Sequence, residues 1–263
     1  MRLSVITVTY NSREHLKETI DSVLSQEWPD LEYILVDGGS TDGTLDIIRQ
    51  HAAADSRIRW ISEQDEGISD AFNKGLKLAT GTLIGIINSD DTYAPGALQA
   101  VAEAFGCYPE CDVFYGDVIR LQGDTPVFRL KPADVKRTIW REMPLNHAAT
   151  FVTQRAYDKV GVFDISLKTA MDYDIVLRLF KGGCRFSYID RVLACVRYGG
   201  ESDERFINGL KEVFSVSVRE GLPYWKACWW LGTRICMVYV KNLLRRFGLY
   251  RLIRLHPRFQ PLS

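Results

Sequence analysis

No acidic residue follows Glu220: residues 221–263 carry Lys226, Arg234, Lys241, Arg245, Arg246, Arg251, Arg254 and Arg258 and not one Asp or Glu. The formal net charge of zero therefore hides a tail of +8 and a remainder of −8, the latter from 25 basic against 33 acidic residues over positions 1–220. No CxxC pair occurs among the six cysteines (107, 111, 184, 195, 228 and 236), and no His lies near Cys107 or Cys111, which excludes a zinc site of ordinary ligand spacing. The cysteines are expected to be buried small hydrophobes in a reducing compartment. No apolar run approaches the roughly 20 residues that span a bilayer; the most apolar stretch, Ala227–Val240, has 14 residues and contains Arg234. Leu3–Thr9 is too short for the apolar core of a secretory signal and leads straight into Tyr10-Asn11, so the expected location is the cytoplasm. No GxGxxG follows Leu3–Thr9, which excludes the dinucleotide fingerprint of a dehydrogenase. No nucleic-acid recognition motif accompanies the basic tail. Internal repeats and low-complexity tracts are absent from the sequence.

What is present is a globular composition, 46% hydrophobic and 11% aromatic over 263 residues, enough for one large α/β domain or a domain with an appendage. Over the first hundred residues, short β-branched runs alternate with helix-period segments, the pattern of a parallel sheet with crossover helices. Strands are expected at about Leu3–Thr9, Glu32–Asp37, Ile58–Ser62 and Thr82–Asn88, and helices at about Arg13–Gln26, Gly43–His51, Ile68–Ala79 and Pro95–Phe105. Ser12, Asp42 and Ser69 suit N-cap or first-turn positions, and Pro95 suits the first turn of its helix. From about Cys111 to Tyr198 the pattern is mixed, with a strand-like Asp112–Leu121, a polar turn at Gln122-Gly123-Asp124 and a helix-like Asp172–Lys181. This half is expected to pack on the sheet edge and to supply a second substrate's site.

Polar and glycine-rich residues cluster after the expected strand ends: Tyr10-Asn11-Ser12, Asp37-Gly38-Gly39-Ser40-Thr41-Asp42-Gly43 and Asn88-Ser89-Asp90-Asp91. Ligands of open α/β sheets bind outside the carboxyl ends of the strands, so these loops should meet in one crevice. Asp37 can accept a hydrogen bond from a base or a ribose hydroxyl, the glycines allowing close approach; equally, it can organise an Asx-turn that only reverses the chain. Asp90 and Asp91 are hard oxygen ligands suited to Mg²⁺ or Mn²⁺ shared with the phosphates of a diphosphate; equally, they can form a solvated turn ahead of the next helix.

These loops, together with Thr7-Val8-Thr9-Tyr10-Asn11, the segment Asp65-Glu66-Gly67-Ile68-Ser69-Asp70-Ala71-Phe72-Asn73-Lys74-Gly75 and Ala79-Thr80-Gly81, resemble the family 2 glycosyltransferases, in detail the branch that assembles bacterial O-antigens and exopolysaccharides. The likeness covers roughly residues 1–200 and is densest over the first 95. It implies a GT-A fold, a Rossmann-like and mostly parallel sheet with flanking helices, and metal-dependent, inverting transfer from a nucleoside-diphosphate sugar, with UDP the expected carrier. By position, Thr9 and Tyr10 line the nucleoside pocket, Asp37 contacts the base, and Asn73 and Lys74 lie along the donor. Asn88 and Asp90 take the first and last places of the family's Asp-x-Asp motif. Asn88 stands where Asp is commoner, so it can bind a ribose hydroxyl without adding charge, and the metal rests on Asp90 with Asp91.

Met171-Asp172-Tyr173-Asp174 resembles the family's Glu-Asp segment at a helix start, with Met171 where Glu is commoner. An inverting displacement needs a base to take the acceptor hydroxyl's proton, and by position Asp172 is the candidate. The same residues also suit a helix N-terminus for dipole reasons alone. His147 is placed to face the acceptor or the leaving diphosphate, although an isolated His is more often a satisfied loop or core residue. Arg178, at i,i+4 from Asp174, is expected to be structural. The segment from Arg197 to Ser202 reads as a loop that closes over the donor.

The division expected is a catalytic domain over 1–220, with a nucleotide half at 1–105 and an acceptor half at 106–220, followed by a basic, aromatic, amphipathic helical tail over 221–263. With Trp225, Trp229, Trp230, Tyr239 and Tyr250 among its eight positive charges, the tail fits the interface of an anionic inner membrane leaflet, or a helix covering the domain's own core. The expected partners are a nucleotide sugar, a lipid-linked glycan acceptor and an anionic membrane surface, with no nucleic acid. Two rival readings stand beside this one: a sugar-phosphate nucleotidyltransferase, which needs a glycine-rich basic loop where Tyr10-Asn11-Ser12-Arg13-Glu14 stands, and a module that binds a nucleotide sugar without turnover.

Overall fold

The computed structural model describes residues 1–198, 206–246 and 259–260. Its first third is built from alternating strands and helices: β1 (Leu3–Thr9), α1 (Leu16–Leu24), β2 (Leu31–Asp37), α2 (Thr44–Ala54), β3 (Ile58–Ser62), α3 (Ile68–Leu78) and β4 (Leu83–Ile86). β1 and β2 are buried at every residue, as expected of continuous apolar runs covered on both faces. β1 lies in register with β2 on one side and with β4 on the other, all parallel, and β3 extends the row beyond β2. The chain therefore winds outward from β1 to β3 and then returns to the far side of β1, so the strand order reverses between β1 and β4. Crevices form at such a reversal, outside the carboxyl ends of the two strands.

The second half continues the same sheet. After β5 (Thr92–Tyr93) and α4 (Ala97–Cys107) come β6 (Val113–Gln122), β7 (Thr125–Leu130), α5 (Val135–Thr138), a 3₁₀ turn (His147–Ala149), β8 (Thr150–Thr153), α6 (Gln154–Val160), α7 (Met171–Lys181) and β9 (Phe186–Arg197). β8 pairs antiparallel with β4, β6 antiparallel with β8, and β9 parallel with β6, which makes the sheet mixed beyond its parallel centre. Helices α8 (Phe206–Arg219) and α9 (Tyr224–Arg246) follow, and β10 (Phe259–Gln260) pairs with β7.

Two apolar layers cover the sheet. Leu3, Val5, Tyr33 and Leu35 face α1, α2 and α4, whereas Ile6, Val8, Ile34 and Val36 face α3 and α7. α1 buries Leu16, Thr19, Ile20 and Val23, one helical stripe. α3 approaches β1 so closely that a Cβ on Gly75 would lie 2.5 Å from Ile6 Cγ2.

Several boundaries differ from those read in the sequence. α1 starts at Leu16 with His15 at its N-cap, not after Ser12, because Ser12 and Arg13 donate backbone N–H groups to Thr44 and Asp42 across the crevice. Pro95 lies ahead of α4, whose start is fixed by Gly96 at φ 75, a left-handed residue that no α-helix includes. The expectation of six buried cysteines fails for Cys107, Cys228 and Cys236, which are exposed, while Cys111 and Cys184 are buried. All the described cysteines are free thiols.

Candidate active site

The loops after β1, β2 and β4 converge as the strand reversal requires. Asn11, at φ 49, accepts a hydrogen bond from Thr41 N and donates its own N–H to Ser40. Ser89 Oγ donates to Ser12 Oγ at 2.8 Å, joining the β1 and β4 loops directly. Asp37 stands at the centre of this stitching and is fully buried. Its carboxylate accepts from Gly39 N, Ser40 N, Ser40 Oγ, Ser62 Oγ and Thr9 Oγ1. Burial alone would raise its pKa, but those donors, Ser40 foremost, hold it below the ordinary carboxylate value. These five donors come from the turn after β2 and from the neighbouring strands, so Asp37 braces the chain reversal there.

A second carboxylate, that of the half-buried Asp65, stands across Gly38 from Tyr10. Tyr10 is 66% exposed at the crevice mouth. Gly38 lies between it and Asp65, and a methyl on Gly38 would overlap Asp65 Oδ2. Asp65 Oδ1 accepts from Gly67 N, which leaves Oδ2 against the glycine. Lys74 secures this loop through Gln64 O at 2.7 Å and ion pairs to Glu63 and Asp70. Asn73 exchanges two 2.9 Å hydrogen bonds with the Phe163 backbone, fastening α3 to the segment ahead of α7. Asn73 and Lys74 thus stand beside the crevice with their polar groups committed to holding its walls.

Beyond β4 lies a cavity of about 340 Å³ bordered by Asn88, Asp90, Asp91, His147 and Asp172. Asp91 is 2% exposed, accepts from Arg197 N at 3.1 Å, and has its pKa pushed up to about 7, first by burial and then by Asp90. Asn88 Oδ1 and His147 Nε2 are buried without a hydrogen-bond partner. His147 Nδ1 lies 3.1 Å from Asp172 Oδ2. Burial opposes the charge on His147, yet Asp172, and behind it Asp91 and Asp90, raise its pKa to about 9. The contact through Oδ2 orients the Asp172 carboxylate, and Asp172 borders the cavity.

The helix bearing Asp172 is held from behind. Glu212 of α8 accepts the backbone N–H groups of Lys168, Thr169 and Ala170 at the start of α7. Two residues on, Asp174 is fully buried and paired with Arg178 and Arg219, while Arg178 also donates to Val160 O and Val162 O, the structural role expected of it. Asp172 and Asp174 thus divide the work, one facing the cavity and one the core.

The model of the glycosyl transferase family 2 domain matches residues 4–167, more than half of the chain. The chain belongs to glycosyl transferase family 2. It is 32% identical over 225 residues to a PGL/p-HBAD biosynthesis glycosyltransferase of Mycobacterium bovis, covering 82% of this chain and 86% of that one. It is 29% identical over 250 residues to the putative teichuronic acid biosynthesis glycosyltransferase TuaG of Bacillus subtilis, covering 93% and 96%. The fold is that of GT-A glycosyltransferases. The mannosyltransferase PcManGT of Pyrobaculum calidifontis, solved with GDP-Man and Mn²⁺, superimposes with TM-score 0.67 at 20% identity, over 97% of this chain and 81% of that one. TarS of S. aureus with UDP-GlcNAc gives 0.66 at 20% identity, over 88% and 70%.

In this glycosyltransferase a set of arginines adds to the residues expected from the sequence. Arg197, 9% exposed in its side chain, donates to Asp90 O and pairs with Glu18 and Asp124, tying the Asp90–Asp91 turn to α1 and to the β6–β7 hairpin. Arg120, Arg141 and Arg234 border the same cavity. They share no motif or spacing; only the tertiary arrangement unites them. The loop read at Arg197–Ser202 as closing over the donor lies, from residue 199 onward, outside the described residues. In the tail, residues 247–258 and 261–263 likewise lie outside them.

The described part of the tail has two faces. Ala227 is buried, Trp230 lies under Arg141, and Arg234 pairs with Glu142. Tyr224, Trp225, Trp229, Met237 and Tyr239 are each more than half exposed. Among the described residues no helix is long and apolar enough to cross a membrane.

Among the described residues no three His, Cys, Asp or Glu side chains are grouped to hold a metal unaided. Asp90 and Asp91 nevertheless form a hard-oxygen pair, and Asp91 is a buried carboxylate that a cation would relieve; Asn88 Oδ1 beside them is a buried acceptor without a partner. Such a set fits a divalent ion that shares its coordination with diphosphate oxygens.

Proposed function

We propose that this chain is an inverting, metal-dependent glycosyltransferase that moves a sugar from a nucleoside-diphosphate sugar, UDP-linked, to a hydroxyl of a lipid-linked glycan in bacterial cell-surface polysaccharide synthesis. The observation that carries this is the joint presence, in one cavity, of the Asn88, Asp90 and Asp91 oxygens and the Asp172–His147 pair. Names of relatives in teichuronic acid and PGL/p-HBAD biosynthesis support the cell-surface role, and neighbours solved with UDP-GlcNAc and with GDP-Man and Mn²⁺ support the donor class and the ion.

In this reading Tyr10 stacks against the base and Asp65 Oδ2 accepts from it. Thr9 and Asp37 keep the pocket floor rigid, and Asn73 and Lys74 hold its walls. Asn88 binds a ribose hydroxyl, and Asp90 and Asp91 hold a Mg²⁺ or Mn²⁺ ion, which when bound offsets the charge of the departing diphosphate. Asp172 takes the proton of the acceptor hydroxyl as the oxygen attacks the anomeric carbon, and the bond to the diphosphate breaks on the opposite face. His147, donating through Nδ1, holds Asp172 in the orientation that allows this.

A screen of UDP-, GDP- and dTDP-sugars for binding and hydrolysis with and without Mn²⁺ tests the reading. Metal-dependent turnover of at least one donor, with inversion at the anomeric carbon, is expected; donor binding without any turnover would favour a binding module and reject it. The domain over 1–220 and the tail over 221–263 are further parts of this proposal, with the exposed face of α9 lying on an anionic leaflet at the inner face of the plasma membrane. Trp225→Ala with Trp229→Ala should release the protein from anionic vesicles while its melting temperature stays unchanged. Undiminished vesicle binding by that variant refutes the membrane contact.

A further inference from the structure

Arg141 and Arg234 are brought together at the wall of the cavity that also holds Asp172 and His147. They share one carboxylate: Arg234 pairs with Glu142 Oε2, and Arg141 Nε lies 3.7 Å from Glu142 Oε1. Arg141 Nε is buried without a hydrogen-bond partner, and its guanidinium lies over the Trp230 ring at 5.3 Å, which holds the plane of the fork in place. A buried guanidinium N–H without an acceptor is costly, and a planar fork of donors matches the two oxygens of a carboxylate or phosphate. Leu145, Leu210 and Val213 supply apolar wall beside the two arginines, a setting in which charge-assisted hydrogen bonds are stronger than in water.

We propose that Arg141 and Arg234 form a subsite for an anionic group of the acceptor, a phosphate ester or a carboxylate, next to the hydroxyl that Asp172 deprotonates. Their position in the chain separates them from the donor side. The residues suited to a metal and a nucleotide lie after β1, β2, β3 and β4, whereas Arg141 opens the connection that ends at His147, and Arg234 comes from α9. The tail is then part of the acceptor site: Trp230 and Arg234 both belong to it, so a chain truncated after α8 lacks half of the subsite. The proposal rests on the reading of Asp172 as the acceptor-side base.

Titration calorimetry on the full chain with inorganic pyrophosphate, in EDTA so that no divalent ion is present, tests it. Pyrophosphate should bind the unaltered protein and bind Arg141→Gln and Arg234→Gln at least about tenfold more weakly, while Arg141→Lys lies between. Melting curves on the same samples verify that the variants are folded. A parallel titration with UDP and Mn²⁺ should give the same affinity for Arg141→Gln as for the unaltered protein. Farnesyl diphosphate and glucuronic acid, used as competitors, distinguish a lipid diphosphate from a carboxylate of the glycan; displacement of pyrophosphate by either supports the subsite and names its source. Absence of pyrophosphate binding, binding that survives Arg141→Gln, displacement by neither competitor, or equal loss of UDP affinity overturns it, the last because the arginines would then serve the donor. If no nucleotide binds under any condition while pyrophosphate still depends on Arg141, it is the glycosyltransfer reading that fails and not the anion subsite.

Discussion

Two carboxylates on the same parallel sheet, Asp37 after β2 and Asp91 after β4, end in opposite states. Asp37 is fully buried with five donors directed at it, and its pKa is held below the ordinary value. Asp91 is as deeply placed, yet its side chain accepts a backbone N–H from Arg197, and its pKa rises to about 7. The first is a closed polar network that fixes a turn. The second belongs to a cavity with unsatisfied atoms on Asn88, His147 and Arg141, the condition under which a ligand gains by arriving. The number of donors that reach a carboxylate, rather than its burial, separates architecture from chemistry in this molecule.

The largest effect should come from the cavity side. Asp172→Asn keeps the 3.1 Å contact to His147 within reach but cannot accept a proton. Loss of a general base commonly costs 10²–10⁴ in rate, so turnover should fall about 10³-fold, roughly 4 kcal/mol in the barrier. A rate within tenfold of the unaltered enzyme would remove Asp172 from the role of base.

Asp37→Ala should behave in the reverse way. It leaves Thr9, Ser40 and Ser62 hydroxyls and two N–H groups without their acceptor in a fully buried site, for a loss of about 3 kcal/mol and a fall of roughly 10 °C in melting temperature. A variant that keeps its stability and loses only nucleotide affinity would restore Asp37 to direct contact with the base and erase the contrast. In that case Asp65→Ala, expected to weaken UDP binding with no change in stability, should have no effect on affinity.

How much of this was legible in the chain follows from the range of the interactions. β1 to β4 and the convergence of their loops are written in local apolar runs and the polar residues that end them, and Asp172 at the start of α7 is marked by the helix period after it. That Asp37 is surrounded by donors while Asp65 lies against a bare glycine is not local: it depends on Ser62 and Thr9 reaching Asp37, and on Gly38 making room for Asp65. The arginine set is less legible still, since Arg120, Arg141, Arg197 and Arg234 come from four elements or loops and share no spacing. β8 and β9 were missed because their short or mixed runs acquire strand character only by pairing with β4 and β6.

The smallest effect, and the finest test of the contrast, is the response to pH. A divalent ion needs the Asp91 carboxylate ionised, and below about pH 7 that group holds a proton which the ion must displace. Mn²⁺ affinity in the presence of UDP should therefore fall by up to about tenfold for each pH unit below 7, one proton being exchanged for the ion. Without metal the sign for stability is the other way round. Asp91 in the fold keeps a proton between its ordinary value of 3.8 and about 7 that the unfolded chain has released, so stability declines as pH rises through that window. His147 acts in the same direction at higher pH. Its folded value is raised from 6.5 to about 9, so its contribution is complete below 6.5 and is lost as pH climbs through 9. Asp37, with its pKa lowered, contributes stability above its ordinary value and loses it only as pH falls through its folded value, well below the metal-binding range. Calorimetric Mn²⁺ titrations from about pH 5.5 to about 8.5 on the unaltered protein and on Asp91→Asn provide the measurement. The slope should be present in the first and absent in the second; a slope that persists in Asp91→Asn would mean that another group releases the proton, and that Asp91, like Asp37, serves the fold.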